Sequence, residues 1–285
     1  MIDIHTHPVQ VAELLDRDPD LPRAVRDVFG LFMPPQPLRT YELHLDEAGT
    51  DQAVVLPIDC TTAHGAKVVS NEGVAWLMEQ TDRVIGFASV DPNEADAPAK
   101  LEHAVKEYGL VGLKLDPALQ LFDPADRDHA FPVYEQALQL DIPVLIHCGL
   151  SWARVGRSSK AHPLALEEVI HAFPDLKIVI PHFGWPWVDE SVMLALKHRN
   201  VYLDTSILHS GTPPESIRHT LERVGLDALD RSLHAQVLFG SNYPRVDPKR
   251  VADGVRRLGL RPSLERKIFD TNARELLNMN AQVAA

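Results

Sequence analysis

Cysteine is almost missing from this chain: Cys60 and Cys148 are the two in 285 residues. Two are too few for a disulfide framework, so a reducing compartment, the cytoplasm, is expected. No apolar run approaches the ~18 residues of a membrane-spanning helix. The opening MIDIHTHP has no basic segment followed by an apolar one, so no signal peptide is expected. Cationic side chains are the minority, 28 Lys and Arg against 40 Asp and Glu, for a net charge of −12. That balance argues against nucleic acid or an anionic membrane as partner and points to a small-molecule substrate, with a homo-oligomer left open. Repeats, low-complexity tracts and polar linkers are also lacking, so nothing marks a domain boundary.

Short β-rich apolar runs do recur, each followed by a helix-like stretch. They are MIDIHTH (1–7), QAVVLP (52–57), VIGFASVDP (84–92), VGLKLDP (111–117), PVLIHCG (143–149), KIVIPHFG (177–184), NVYLDTS (200–206) and QVLFGSNYP (236–244). Continuously apolar runs bounded by turn residues suit strands buried on both faces of a parallel sheet. Between them, Ala97, Leu101, Ala104, Val105 and Tyr108 recur at helical spacing within 94–108. Asp123 with Pro124 behind it reads as the start of another helix. Eight strand–helix units are the inventory of an α/β fold of the (β/α)8 TIM-barrel class, for which about 200–250 residues in one domain is ordinary. A doubly wound open sheet is the rival, but His5-Thr6-His7-Pro8 stands where its glycine-rich phosphate turn belongs. The expectation is one barrel domain over 1–285, with a long loop insertion at 8–40 and C-terminal helices at 262–280. The insertion carries Pro34, Pro35 and Pro37 and could cover a substrate, pack, or meet a second subunit.

Barrel active sites lie at the C-terminal ends of the strands. The polar residues there are His5, His7, Asp91, Lys114, Asp116, His147, His182, Asp204 and Asn242. In a strand, residues two apart share a face, so His5 and His7 can hold one ion. A His-x-His pair alone is a weak signal; His147, on a separate strand, completes the three ligands with an open position that a catalytic zinc site needs. The bland alternative is that each histidine packs at a rim and bonds a neighbouring backbone. His182 is either a fourth ligand, a base orienting water, or a satisfied rim histidine.

Together these residues resemble the amidohydrolase superfamily, more closely its amidohydrolase-2 branch of TIM-barrel metal-dependent hydrolases and decarboxylases. The stretches that carry the resemblance, in the family's order, are IDIHTH, VGLKLDPALQLFDP, PVLIHCG, PHFG, NVYLDTS, LFGSNYP and FDTNARELL. They span essentially the whole chain. The resemblance implies that His5, His7 and His147 ligate a divalent metal, zinc first with manganese, cobalt or iron as alternatives, and that His182 is the catalytic histidine. Two positions depart from the pattern. Asn242 stands where relatives usually carry Asp; it is read as natural variation, as a substitution made to trap a complex, or as loss of catalysis leaving a ligand-binding protein. Asp116 stands where relatives often have His. Lys114 is a partner for a substrate carboxylate, a structural ion pair, or, as in binuclear relatives, a carboxylated bridge.

Substrate-facing candidates are Trp152, Arg154, Arg157 and Arg245, with Ser151, Ser158, Trp185 and Trp187 beside them. Arg clamps a carboxylate in two places, and indole rings can wall a planar substrate. The expected activity is hydrolysis of a small ester, lactone or related carbonyl compound by metal-activated water, with His182 and Asn242 in the catalytic roles. The amide N–H of Asn242 can donate to a developing oxyanion and its carbonyl oxygen is a neutral ligand, but the group cannot take a proton at neutral pH. The alternative is non-oxidative decarboxylation of an aromatic or muconate-type acid.

Overall fold

The computed structural model describes residues 1–207 and 211–279. Each apolar run supplies one strand: β1 (Ile2–Thr6), β2 (Gln52–Val55), β3 (Val84–Gly86), β4 (Leu113–Leu115), β5 (Val144–Ile146), β6 (Ile178–Ile180), β7 (Val201–Asp204) and β8 (Val237–Leu238). Sequence neighbours pair in parallel from β1 to β3 and from β4 to β8. The bridge between Ala88 and Leu113 joins β3 to β4. The N–H of Ile4 donates to the Phe239 carbonyl at 2.8 Å, and that of Asn242 to the His5 carbonyl at 2.9 Å, which close β8 onto β1. The fold is therefore the expected (β/α)8 barrel. Its strands are shorter than the apolar runs because the last residues of each run leave the ladder and line the mouth.

The barrel interior is filled by alternate residues of the strands, among them Ile4, Val54, Phe87, Leu145, Val179 and Leu238, with Leu276 packed against them. Residues between these, such as Val55, Leu115, Ile146 and Leu203, pack in a separate cluster with residues of the surrounding helices, including Leu77, Leu101 and Leu194. Gly112 on the approach to β4 has no room for a side chain, since a Cβ there would stand 2.3 Å from the Phe87 ring.

β1 departs from strict alternation. Asp3 pairs with Ala53, but Thr6 pairs with Val55, so one extra residue lies between the two registers. This bulge lets Ile4 join the interior cluster while His5 and His7 also turn toward the mouth. Re-aiming side chains next to a functional site is a common use of a bulge.

Segment 8–40 contains the short helices Ala12–Arg17 and Leu21–Arg23 and a helical stretch Ala24–Phe29 that ends at Gly30 in the left-handed conformation, φ 71°. Buried Val25, Val28 and Phe29 attach it to the core. The expected helix within 94–108 is Ala97–Tyr108, with Ala97, Leu101 and Ala104 buried and Gly109 as its left-handed cap. The helix expected from Asp123 instead begins at Ala130. Asp123 and Asp126 turn their carboxylates onto the N–H groups of Ala125, Asp128 and His129, which satisfies those donors in turns and delays the helix. At the C-terminus, helical segments Pro262–Arg266, Lys267–Thr271 and Asn272–Leu276 follow one another. The Asn272 amide donates to the Val237 carbonyl at 2.8 Å. Residue 280, the end of the expected helical tail, lies outside the described residues. No helix among the described residues is long and apolar enough to cross a membrane.

Phe87→Ala removes a fully buried ring from the interior layer and is expected to lower unfolding free energy by about 3–5 kcal/mol. Urea denaturation measures it; a loss below about 1 kcal/mol would contradict the packing described.

Candidate functional site

A narrow cleft, about 50 Å³ in volume, opens at the C-terminal ends of the strands. His5, His7, Lys114, His147, His182 and Asn242 line it, joined by Trp152, Arg245 and Asp116. The four histidines expected at the strand ends all line this cleft.

His7 Nδ1 lies 2.8 Å from the Leu56 carbonyl, which can only accept, so that nitrogen carries the proton. His5 Nδ1 lies 2.8 Å from Asp204 Oδ2 and 3.2 Å from Ser206 Oγ, and it too is the donor. His182 Nδ1 donates to the Ser206 carbonyl at 2.8 Å. The tautomers follow from these acceptors. With Nδ1 committed in each ring, the Nε2 atoms of His5 and His7 present bare lone pairs to each other across 3.1 Å. Burial drives the pKa of both rings well below the ordinary value, so an imidazolium does not relieve the confrontation. His147 Nε2 is buried with no hydrogen-bond partner among the described residues. Its pKa is pushed down to about 3, and that of His182 to about 4, again chiefly by burial. Neutral imidazoles with converging or orphaned Nε2 lone pairs fit a divalent cation. At the mouth the donor atoms that gather within 4.8 Å of one another are those of His5, His182 and Asp204; His7 and His147 are not in that group, and His147 lies against the His182 ring with centroids 5.2 Å apart.

Asp204 fits an orienting role better than a ligating one. Fully buried, it accepts from the N–H of His182 at 2.8 Å and of Ser206 at 3.0 Å, from the Ser206 hydroxyl, and from His5 Nδ1. Oδ1 thus accepts from three donors and Oδ2 from His5 Nδ1. Gly240 lies behind this pair, and a Cβ there would stand 3.0 Å from the His5 Cβ. His182 and Phe183 hold left-handed backbone, φ 60° and 49°, and Asn242 does so at φ 64°. Such conformations cost about 1–3 kcal/mol each and persist where surrounding contacts over-determine them. Asn and His tolerate that region better than most residues. The Asn242 carboxamide makes no hydrogen bond with the described residues.

Lys114 is almost fully buried, yet no carboxylate lies within 4.0 Å of its Nζ among the described residues. Burial lowers the Lys114 pKa, against the opposing pull of the Asp116 and Asp204 carboxylates. Arg245 lies over the Phe29 ring, 4.4 Å from its centroid, and donates to the Phe29 carbonyl. Phe29 also stacks on His7 at 5.0 Å. Segment 8–40 therefore contributes a wall of the cleft.

Other candidates fall outside. Arg154 and Arg157 are exposed and do not line the cleft, because the turn that bonds the Arg157 N–H to the Ala118 carbonyl at 2.9 Å leaves both side chains outward while Ser151 and Ala153 face in. Trp187 stacks on His162 at 4.6 Å, away from the cleft, whereas Trp185 lines it. Ser158 braces the loop by accepting from the Ser151 N–H at 2.9 Å. Asp91 accepts from the N–H of Thr62 and Asn93 and braces a turn. Asp116 caps a short helix by accepting from the Leu119 N–H at 3.0 Å, and burial raises its pKa. Sequence reading missed the anchoring by Ser206 and the wall formed by Phe29. Ser206 stands two residues past Asp204, a spacing that signals a shared face in a strand; nothing local marks Phe29.

A family model described as amidohydrolase matches residues 2–279. An uncharacterised TIM-barrel protein from Bordetella bronchiseptica superposes with a TM-score of 0.76, covering 99% of both chains at 23% identity. A 4-oxalomesaconate hydratase from Rhodopseudomonas palustris gives 0.69 over 100% of this chain and 98% of its own, at 21% identity. A probable 2-pyrone-4,6-dicarboxylic acid hydrolase from Acinetobacter baumannii, with citric acid bound, gives 0.66 over 97% and 98%, at 15% identity. A 2-keto-4-carboxy-3-hexenedioate hydratase from a Sphingobium strain is 28% identical over 39% of this chain and 40% of that protein, so the match spans well under half of this curated relative.

Asp204→Asn keeps the shape but weakens the His5 anchor. Cation affinity is expected to fall about 10–100-fold, read by competition with a chromogenic chelator. Unchanged affinity would show that Asp204 does not orient the ring.

Proposed function

The chain belongs to the amidohydrolase family, in its amidohydrolase-2 branch, and we propose that it uses a divalent cation held by His5, His7 and His147 to add water to a small carboxylate-bearing substrate. The facing Nε2 atoms of His5 and His7, 3.1 Å apart with each Nδ1 already committed, carry this proposal. A cation of this kind lowers the pKa of water from 15.7 to about 7 and polarises a carbonyl. Zinc suits three imidazoles best, with manganese, cobalt or iron as alternatives.

The remaining steps belong to the protein. His182 has its Nδ1–H pinned by the Ser206 carbonyl, which leaves Nε2 as the base for the proton of the attacking water. Lys114, with no carboxylate within 4.0 Å of its Nζ among the described residues, and Arg245, held by Phe29, offer two cationic contacts to substrate carboxylates. Trp152 and Trp185 wall the cleft, and Phe29 excludes solvent from the His7 side. Asn242 can donate to a developing oxyanion, a contribution of about 3 kcal/mol. It cannot protonate a leaving group, so an ester or lactone, whose alkoxide or enolate leaves with less help than an amine, is the substrate placed first. The carboxylated compounds named for the hydrolase and hydratase relatives support an anionic substrate.

A second form of the same chemistry, hydration of a carbon–carbon double bond, is favoured by the two relatives named as hydratases. Turnover of carboxylated lactones, unsaturated keto acids and hydroxybenzoates in ¹⁸O-water separates the cases. Lactone opening with one solvent oxygen in the new carboxylate is the expected result, and a hydroxylated adduct indicates hydration. Carbon dioxide release without solvent oxygen would overturn both in favour of decarboxylation. Binding without turnover, unchanged by Asn242→Asp, would indicate a ligand-binding protein.

His182→Asn is expected to retain the cation and lose about 10²–10⁴-fold in kcat. Lys114→Met should raise KM for carboxylated substrates with a smaller change in kcat. A His182→Asn enzyme at full rate, or unchanged KM in Lys114→Met, would contradict those assignments.

A further inference from the structure

We propose that Glu167, His171 and His198 form a second divalent-cation site on the outer wall of the barrel, where a bound ion staples the helix after β5 to the helix after β6. Glu167 and His171 lie four residues apart on the helix Glu167–Ala172, hence on one face. His198 caps the C-terminal end of the helix Val188–Lys197. One donor atom from each residue lies within 4.8 Å of the other two. The sequence gives these histidines no role, since their separation along the chain hides that they meet.

Their contact is not explained by a hydrogen bond. The two rings meet edge to face, with centroids 5.3 Å apart and planes at 89°. His198 Nε2 is shielded from solvent and has no hydrogen-bond partner among the described residues. Burial and the neighbouring Lys197 lower the His198 pKa, which favours the neutral, ligating ring. Lys197 also holds the Glu167 carboxyl below its ordinary pKa. Its Nζ occupies Glu167 Oε1 at 2.8 Å, leaving Oε2 for an ion. Donors around a tetrahedral zinc stand about 3.4 Å apart, and a separation of up to 4.8 Å is within reach of side-chain rotation at exposed His171. Two imidazoles and one carboxylate, with a fourth position left to water, suit zinc. The Lys197 ammonium opposes the ion's charge and sets a modest affinity.

The site is tested with Zn²⁺ alone. Zinc content is measured after equilibrium dialysis of the full chain against buffered free Zn²⁺ at neutral pH. Wild-type protein is expected to hold one equivalent more than His198→Ala or His171→Ala. His5→Ala, altered only inside the barrel, should keep that equivalent. Lys197→Met, which frees Oε1, should bind it several-fold more tightly. Added Zn²⁺ should raise the Tm of wild type by more than that of His198→Ala. Equal zinc content in wild type and both histidine variants would overturn the site, and an unchanged affinity in Lys197→Met would remove Glu167 from it. The outer equivalent is read by difference, so its presence or absence is independent of occupancy at the mouth.

Discussion

Two imidazole lone pairs held face to face, against their mutual repulsion, are the constraint on which the rest of this structure turns. The Leu56 carbonyl and the Asp204 carboxylate fix the protons of His7 and His5 on Nδ1, and burial keeps both rings from taking a second proton. A folded chain retains such an arrangement when something else satisfies it. A divalent cation does so directly, and the orphaned Nε2 of His147 on the same cleft is consistent with a third ligand.

The barrel supplies this geometry through local departures from regularity. A bulge in β1 turns His5 and His7 toward the mouth without emptying the interior layer beneath them. Left-handed backbone at His182 and Asn242 sets two more polar groups on the rim. The exit from β5 also depends on a glycine: Gly149 takes φ 108°, and a Cβ there would lie 2.3 Å from the Trp185 carbonyl oxygen. Segment 8–40 then brings Phe29 across His7 and under Arg245, a contact spanning 216 residues of sequence.

Much of this was legible in the sequence because it is periodic or repeated. Eight apolar runs, each followed by a helix-like stretch, point to a parallel sheet buried on both faces, and the count of eight without a glycine-rich phosphate turn favours a barrel over an open doubly wound sheet. Four histidines at the ends of three of them reach one mouth because a barrel sends every strand end there. What was hidden depends on long-range geometry. The partner of His5, Asp204, lies 199 residues away, and Phe29 has no local mark of its role. Arg154 and Arg157 look suited to a carboxylate by residue type, yet the turn of their loop points them to solvent. The helix anticipated at Asp123 starts later because aspartates serve turns as readily as helix caps. Residue type alone does not choose between these uses; the backbone path does.

The central claim concerns where the protons of His5 and His7 reside and what their bare nitrogens face. Long-range ¹H–¹⁵N NMR of the metal-free protein at neutral pH reports this directly, with assignment by single His→Gln variants. The account predicts both rings as neutral Nδ1–H tautomers whose Nε2 resonances shift on addition of Zn²⁺. A proton on either Nε2, or Nε2 resonances that stay in place under excess Zn²⁺, would contradict it.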